Sequence, residues 1–354
     1  MVMFDCKAIT HAVTFLPAGQ IAPCCVIKEN YSKPIELLQN QNRFDDLQIN
    51  ETPLPCKQCV KYPENSYKSF FNKFEGDRLR YIDFRNSNTC NLKCRTCGPH
   101  ASSSWAVELD LPQPFVSTDV SKFINQILDE NIQEIYFAGG EPLLNADHWQ
   151  LLDKLVKLNL SKNIVIRYST NLTTLKYKDV DIFDLWKKFK EVHVVVSVDA
   201  TEQAFDFIRS GASWQTVSKN IDLLSDKENI ILSLAFTLSA ISVWFLPDVL
   251  KYGQEKALPV NIVQLTDPHY YTLNVFPDDI KNKCIEVLNE CNKVYPKYSK
   301  NIKLAINIAN NNDDQGSFLT LINNILLTDK IRSESLFDLL PFRKSATKLV
   351  FAHQ

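Results

Sequence analysis

The chain has 354 residues, 45% of them hydrophobic and 23% charged, with a formal net charge of −2. That length accommodates one large α/β domain plus a smaller module, and the composition is that of an ordinary globular chain, not a disordered or fibrous one. The slightly acidic balance excludes the broad basic footprint with which a protein grips a phosphate backbone.

Residues 1–73 carry Cys6, Cys24, Cys25, Cys56 and Cys59 without a clear strand–helix alternation. The opening Met1-Val2-Met3-Phe4-Asp5-Cys6-Lys7 has neither a basic leader nor a long apolar run, so no signal peptide is expected there. From residue 79 the pattern changes. Residues 79–85 alternate like a strand, 120–128 have helical spacing, 134–138 form a short apolar strand and 147–158 a helix. Strands follow at 163–168, 192–198, 230–238 and 260–265, with helices at 181–190, 214–224, 246–254 and 277–294. In the tail, 318–327 reads as a helix.

Six strands alternating with helices predict a parallel sheet with helices outside, and continuously apolar strands suggest burial on both faces. Six repeats fall short of a closed eight-strand barrel, so the expected fold is an α/β partial (β/α)6 barrel preceded by a small cysteine-rich module. The expected divisions are 1–75, 76–300 and a helical extension at 301–354. Residues 230–246 carry no charge, but they include Ser233, Thr237, Ser239 and Ser242 and are short for a span of ~20 residues, so a buried strand and loop is the reading. The expected location is cytoplasmic. Ten cysteines there point to metal ligands or reactive thiols instead of disulfides.

Directly after the first of these strands come Cys90, Cys94 and Cys97, spaced C-x3-C-x2-C. Three thiolates that close hold three irons of a [4Fe–4S] cluster and leave the fourth iron open for chemistry. A zinc site is the alternative. Zinc wants four ligands, and only His100 stands nearby as a fourth. After the second strand comes Gly139-Gly140-Glu141-Pro142, where two glycines let backbones approach closely.

Together these two motifs resemble the radical S-adenosylmethionine (SAM) enzymes, over about residues 79–265. The resemblance implies that SAM chelates the open iron. Reduction of the cluster then cleaves SAM to methionine and a 5′-deoxyadenosyl radical, which abstracts hydrogen from substrate. It further implies that Gly139, Gly140, Glu141 and Pro142 meet the SAM amino group, and that Asn171 hydrogen-bonds SAM. Ser197 and Asp199 would lie near the ribose and methionyl groups, and Arg209 would pair with the SAM carboxylate. One departure is Thr96, where the family often has an aromatic residue against adenine. A flavodoxin- or ferredoxin-type reductant is the implied partner, and a peptide or small metabolite the implied substrate.

The upstream cysteines read C-x12-G-x4-C…C-x2-C through Cys6, Gly19, Cys24, Cys56 and Cys59. This is similar to the twitch module, a shortened SPASM domain, which implies that Cys6, Cys24, Cys56 and Cys59 hold a second, auxiliary [4Fe–4S] cluster. In many relatives the module follows the barrel; here it precedes it. Cys25 is a spare, with exchange of roles between Cys24 and Cys25 the alternative, and a zinc ribbon with the same four thiolates fits the spacing equally. Two rival functions stand beside this reading: a radical SAM enzyme acting on RNA, and a zinc-bound interaction protein on a barrel that no longer cleaves SAM. After the sixth strand, Asp267-Pro268-His269-Tyr270-Tyr271 is expected at the barrel mouth, either as an ordinary rim loop or as a proton donor. Cys284 and Cys291 read as core packing, and Lys187, Lys188 and Lys190 as a solvated helix face.

Overall fold

The fold is taken from a computed structural model, which describes residues 6–26, 32–39, 44, 56, 57, 59, 67–112, 120–311 and 315–343. The strands are β1 (Ala12–Leu16), β2 (Gln20–Ala22), β3 (Lys33–Pro34), β4 (Tyr81–Phe84), β5 (Glu134–Phe137), β6 (Val165–Thr170), β7 (Lys176–Tyr177), β8 (Val180–Asp181), β9 (Glu191–Ser197), β10 (Ile230–Leu238) and β11 (Val260–Gln264). Nine of them form one sheet in the order β11-β10-β9-β6-β5-β4-β1-β2-β3, while β7 and β8 pair separately. The six expected strands β4, β5, β6, β9, β10 and β11 run parallel with successive neighbours. Successive strands of this set are joined by crossover connections that carry helices, as parallel neighbours require.

A seventh parallel strand lies where no alternation was expected. β1 pairs with β4 in register Ala12↔Tyr81 to Phe15↔Phe84, and the antiparallel β2 and β3 continue the edge. All five residues of β1 are buried. The region before residue 75 therefore contributes strands to the barrel sheet itself. Its signal was a five-residue apolar run, Ala12-Val13-Thr14-Phe15-Leu16, closed by Pro17 and Gly19.

The expectation of strands buried on both faces holds for β4, whose four residues are all buried, and is corrected for β6, β9 and β10. In β9, Val192, Val194 and Val196 are fully buried, whereas Glu191, His193, Val195 and Ser197 are only half-covered. β6 and β10 alternate in the same way. The outer residues pack under helices such as Trp214–Ser225 and Leu246–Glu255. The inner ones face an incompletely closed barrel, which leaves that side to solvent and ligand. Apolar Val195 and Val263 on the inner face made the run look continuous.

Several helices differ in length from the sequence expectation. Residues 120–128 give only Ser121–Ile124 and then turn, and 181–190 give only Phe183–Trp186. The tail helix is longer, Gln315–Arg332, and is followed by a short helix, Leu336–Leu339. Cys284 and Cys291 are buried on one face of Asp278–Val294 and belong to the core. No helix among the described residues is long and apolar enough to cross a membrane.

Candidate active site

The cysteine loop leaves the C-terminal end of β4 and is held from three directions. On one side the Gly139–Glu141 turn runs beside it. The Gly140 N–H donates to Ser87 O at 3.1 Å and the Glu141 N–H to Thr89 O at 2.7 Å. A Cβ on Gly140 would stand 2.2 Å from Thr89 O, and Gly139 has φ +111°. The paired glycines are thus required by the approach of one loop backbone to another. On the other side, the Lys93 N–H donates to Ser210 O and the Arg95 N–H to Ile208 O, both at 2.8 Å. The third support is the helix Ser103–Glu108. Ser104 Oγ donates to Cys90 O at 2.7 Å, Ser102 Oγ to Leu92 O at 2.6 Å, and Trp105 Nε1 to Cys94 O at 2.9 Å.

Cys90, Cys94 and Cys97 all face one cavity of about 970 Å³. Burial pushes the Cys90 thiol up to about 12 and the Cys97 thiol up to about 11. Cys94 is raised by burial too, against the nearby Arg209 guanidinium. Such thiols give up their protons to a metal, because the bound cation replaces the lost solvation. Two N–H groups already point at Cys90 Sγ, from Leu92 at 3.5 Å and from Asn171 Nδ2 at 3.9 Å. N–H donors of this kind are the usual surroundings of a cluster thiolate. Among the described residues no three His, Cys, Asp or Glu side chains are gathered to hold a single metal ion. The fit to a cluster rests on donor chemistry and on the shared cavity.

Gly139, Gly140, Asn171, Ser197, Asp199 and Arg209 line the same cavity, and so does Thr96. Glu141 and Pro142 do not. Glu141 is 2% exposed, and its carboxylate accepts the Asn171 N–H at 2.7 Å, Thr170 Oγ1–H at 2.7 Å and the Leu143 N–H at 3.1 Å. Burial raises its pKa in spite of these bonds. Its role is to tie the turn after β5 to the end of β6. Pro142 is buried beside it and opens the turn Pro142–Leu144.

Arg209 is the fixed cation of the site. Its Nη1 donates to Asp199 Oδ2 at 2.7 Å, and Asp199 Oδ1 accepts the Thr237 N–H at 2.8 Å. Burial acts against the guanidinium, but Cys94 and Asp199 hold its pKa above the ordinary value. Its buried Nε has no hydrogen-bond partner among the described residues. An unpartnered cationic donor in a cavity is a place for an anionic ligand group.

Sequence reasoning missed the opposite wall. Leu16, Pro17, Gln20 and Ser32 reach the cavity from β1, β2 and the start of β3, and Arg85 reaches it directly after β4. Arg85 is gripped by Asp83 through Nε at 2.8 Å and Nη2 at 2.6 Å. A charged residue at the very end of the first barrel strand was the available signal. No Phe, Tyr or Trp lines the cavity among the described residues; His100 is its one aromatic ring. Of the run after β11, Asp267 alone reaches the cavity. Tyr271 is buried in the core with its hydroxyl donating to Asn324 Oδ1 at 2.7 Å.

The upstream cysteines lie apart from the first three. Burial pushes Cys56 up to about 12, with the neighbouring thiols of Cys6 and Cys59 adding to the shift. Cys24 is buried. Cys25 stands within electrostatic reach of Tyr81, Arg85 and Tyr136. Cys25 is thus on the barrel side of this set.

Residues 87–237 match the family model of the radical SAM superfamily. A GTP 3′,8-cyclase of Sulfurimonas denitrificans is 25% identical over 191 residues, which is 52% of this chain and 55% of that protein. The GTP 3′,8-cyclase of Aliarcobacter butzleri is 32% identical over 98 residues, 27% of this chain and 28% of that protein. The radical SAM cyclopropyl synthase TigE of Paramaledivibacter caminithermalis is 23% identical over 281 residues, 74% of this chain and 54% of that protein. The chain thus spans about half, or less, of the length of these relatives. With the cysteine loop, the glycine turn and the parallel sheet in their observed places, residues 87–237 form a radical SAM domain.

Proposed function

We propose that the chain binds a [4Fe–4S] cluster through Cys90, Cys94 and Cys97, cleaves SAM reductively in the cavity above β4–β11, and abstracts hydrogen from a small polar metabolite. The observation that carries this reading is the convergence of the three thiols, the Gly139–Gly140 turn, Asn171, Ser197 and Arg209 on one cavity. When bound and reduced, the cluster supplies the electron that splits the SAM sulfonium. The protein holds the ligand. Arg209 takes the SAM carboxylate through its free Nε, and Asp199 keeps the guanidinium in place. Backbone groups at Gly139 and Gly140 receive the amino group, and Asn171 and Ser197 offer polar contacts to the ribose. Glu141 acts from behind by fixing Asn171. An external flavodoxin- or ferredoxin-type reductant is part of the proposal.

A cavity of about 970 Å³ lies at the upper end of the ordinary ligand-pocket range of about 300–1,000 Å³. It has room for SAM and a compact second molecule, which favours a metabolite over a peptide. The two relatives named GTP 3′,8-cyclase make a purine nucleotide the first substrate to try. A peptide is the second reading. The net charge of −2 weighs against RNA.

We also propose an auxiliary [4Fe–4S] cluster on Cys6, Cys24, Cys56 and Cys59, dividing the chain into an auxiliary region at 1–75, a core at 76–300 and an extension at 301–354. Its support is the burial of Cys56 beside Cys6 and Cys59. Anaerobic reconstitution should give about eight irons per chain. Dithionite and SAM should then yield 5′-deoxyadenosine, with a faster yield when the right nucleotide or peptide is added. A colourless protein carrying zinc and forming no 5′-deoxyadenosine would leave the interaction-protein reading in its place.

A further inference from the structure

We propose that the C-terminal segment, through Asp329, Arg332 and Glu334, positions the cysteine loop and sets the charge around its cluster. This rests on the assignment of Cys90, Cys94 and Cys97 as cluster ligands. The segment reaches Lys93 and Arg95 directly and Cys94 through Trp105. Arg332 Nη1 donates to Lys93 O at 2.7 Å, and its guanidinium forks onto Glu108, with Nη2 to Oε2 at 2.7 Å. The same guanidinium covers the Trp105 ring at 4.5 Å, and Trp105 Nε1 holds Cys94 O. Arg95, whose side chain is fully buried, donates Nη2 to Asp329 Oδ1 and to Glu334 Oε2, each at 2.5 Å. Arg95 Nη1 also reaches Ile325 O at 3.3 Å.

The anchors are themselves fixed. Asp329 accepts the N–H groups of Leu336 at 3.2 Å and Phe337 at 2.9 Å. Glu334 Oε1 accepts Ser210 Oγ–H at 2.5 Å, and the Ser210 carbonyl receives the Lys93 N–H. Lys93 Nζ completes the set on Glu108 Oε1 at 2.5 Å. Three cations (Lys93, Arg95, Arg332) therefore meet three carboxylates (Glu108, Asp329, Glu334) around the middle of the loop. Buried forks of this kind fix geometry strongly. In a poorly solvated site, a change of one unit charge there acts on the electron affinity of the neighbouring cluster.

The test uses the full chain, reconstituted anaerobically, with folding checked by circular dichroism. Asp329→Asn keeps the shape and removes one negative charge, so the midpoint potential of the three-cysteine cluster should shift to a less negative value. Arg332→Ala should change the paramagnetic spectrum of the reduced cluster and speed iron loss to a chelator several-fold. Arg332→Lys should restore the potential but not the iron retention, because it keeps the charge and loses the fork. Should Asp329→Asn fold poorly, Glu334→Gln removes the same charge while keeping bonds to Arg95 and Ser210, and carries the same expectation. Unchanged potential, spectrum and iron loss in folded variants would overturn the proposal. A wild-type chain that loads no iron at all would instead overturn the underlying assignment of the cysteines.

Discussion

The two sets of cysteines differ in what holds them. Cys90, Cys94 and Cys97 sit on a loop clamped by the glycine turn, by residues 208–210 and by the helix Ser103–Glu108, with bonds to Cys90 O and Cys94 O. The upstream set is drawn from points far apart in the chain. Cys6 precedes the short helix Ala8–His11, Cys24 follows β2, and Cys56 and Cys59 stand more than thirty residues further on. The first site is shaped by protein contacts before any metal arrives. The second brings Cys6 and Cys59 beside the buried Cys56 from separate stretches of the chain.

The largest expected effect separates the two sets by chemistry. Cys94→Ser should abolish 5′-deoxyadenosine formation and remove about four of about eight irons. Retained cleavage of SAM would break the assignment. Cys56→Ser should also remove about four irons, yet leave SAM cleavage without substrate near the wild-type rate; the loss should appear in product. If both substitutions gave the same iron loss and the same loss of cleavage, the sites would be one and not two.

Next in size is Arg209→Leu. Losing a charge-assisted contact of about 1.5–3 kcal/mol should weaken SAM binding roughly 10–100-fold, read by calorimetric titration. Unchanged affinity would place the SAM carboxylate elsewhere. Gly140→Ala tests the clamp itself. The new Cβ meets the Thr89 backbone, which cannot swing away, so a loss of about 1–3 kcal/mol and a melting temperature lower by a few degrees are expected. A neutral result would mean that the loop is looser than its hydrogen bonds indicate. The smallest effect is expected from Cys25→Ser, which should leave iron content unchanged. A loss of iron there would move Cys25 into the ligand set in place of Cys24.

Much of the core was legible because its signals are local. β5, β10 and β11 are apolar runs closed by turns, and the two motifs follow strands as chemistry in a barrel must. Ser197, Asp199 and Asn171, singled out through the family resemblance, line the cavity at or just beyond the ends of β9 and β6. What escaped reading depends on long-range contact. β1 stands far in sequence from its parallel partner β4, which comes over sixty residues later, so no close strand–helix–strand pattern marks the pair. Arg95, Asp329 and Glu334 look like ordinary surface charges in the sequence, and only folding brings them together. The role of the Glu141 side chain was not legible either, since it turns away from the cavity to satisfy three donors from distant or neighbouring backbone and Thr170.

The hairpin of β1 and β2 couples events at opposite ends of the chain's first half. Leu16, Pro17 and Gln20 are cavity wall beside Arg85, whose N–H donates to Phe15 O at 3.2 Å, and Asn171, Ser197 and Arg209 line other parts of the same cavity. A molecule seated between these walls is bound only by the form in which the hairpin is docked. Occupancy must therefore draw the population toward that form by mass action. The amides of residues 12–22 should exchange with deuterium more slowly as SAM or substrate fills the site, and a protease that attacks the free amino-terminal region should report saturation of a cavity it never enters.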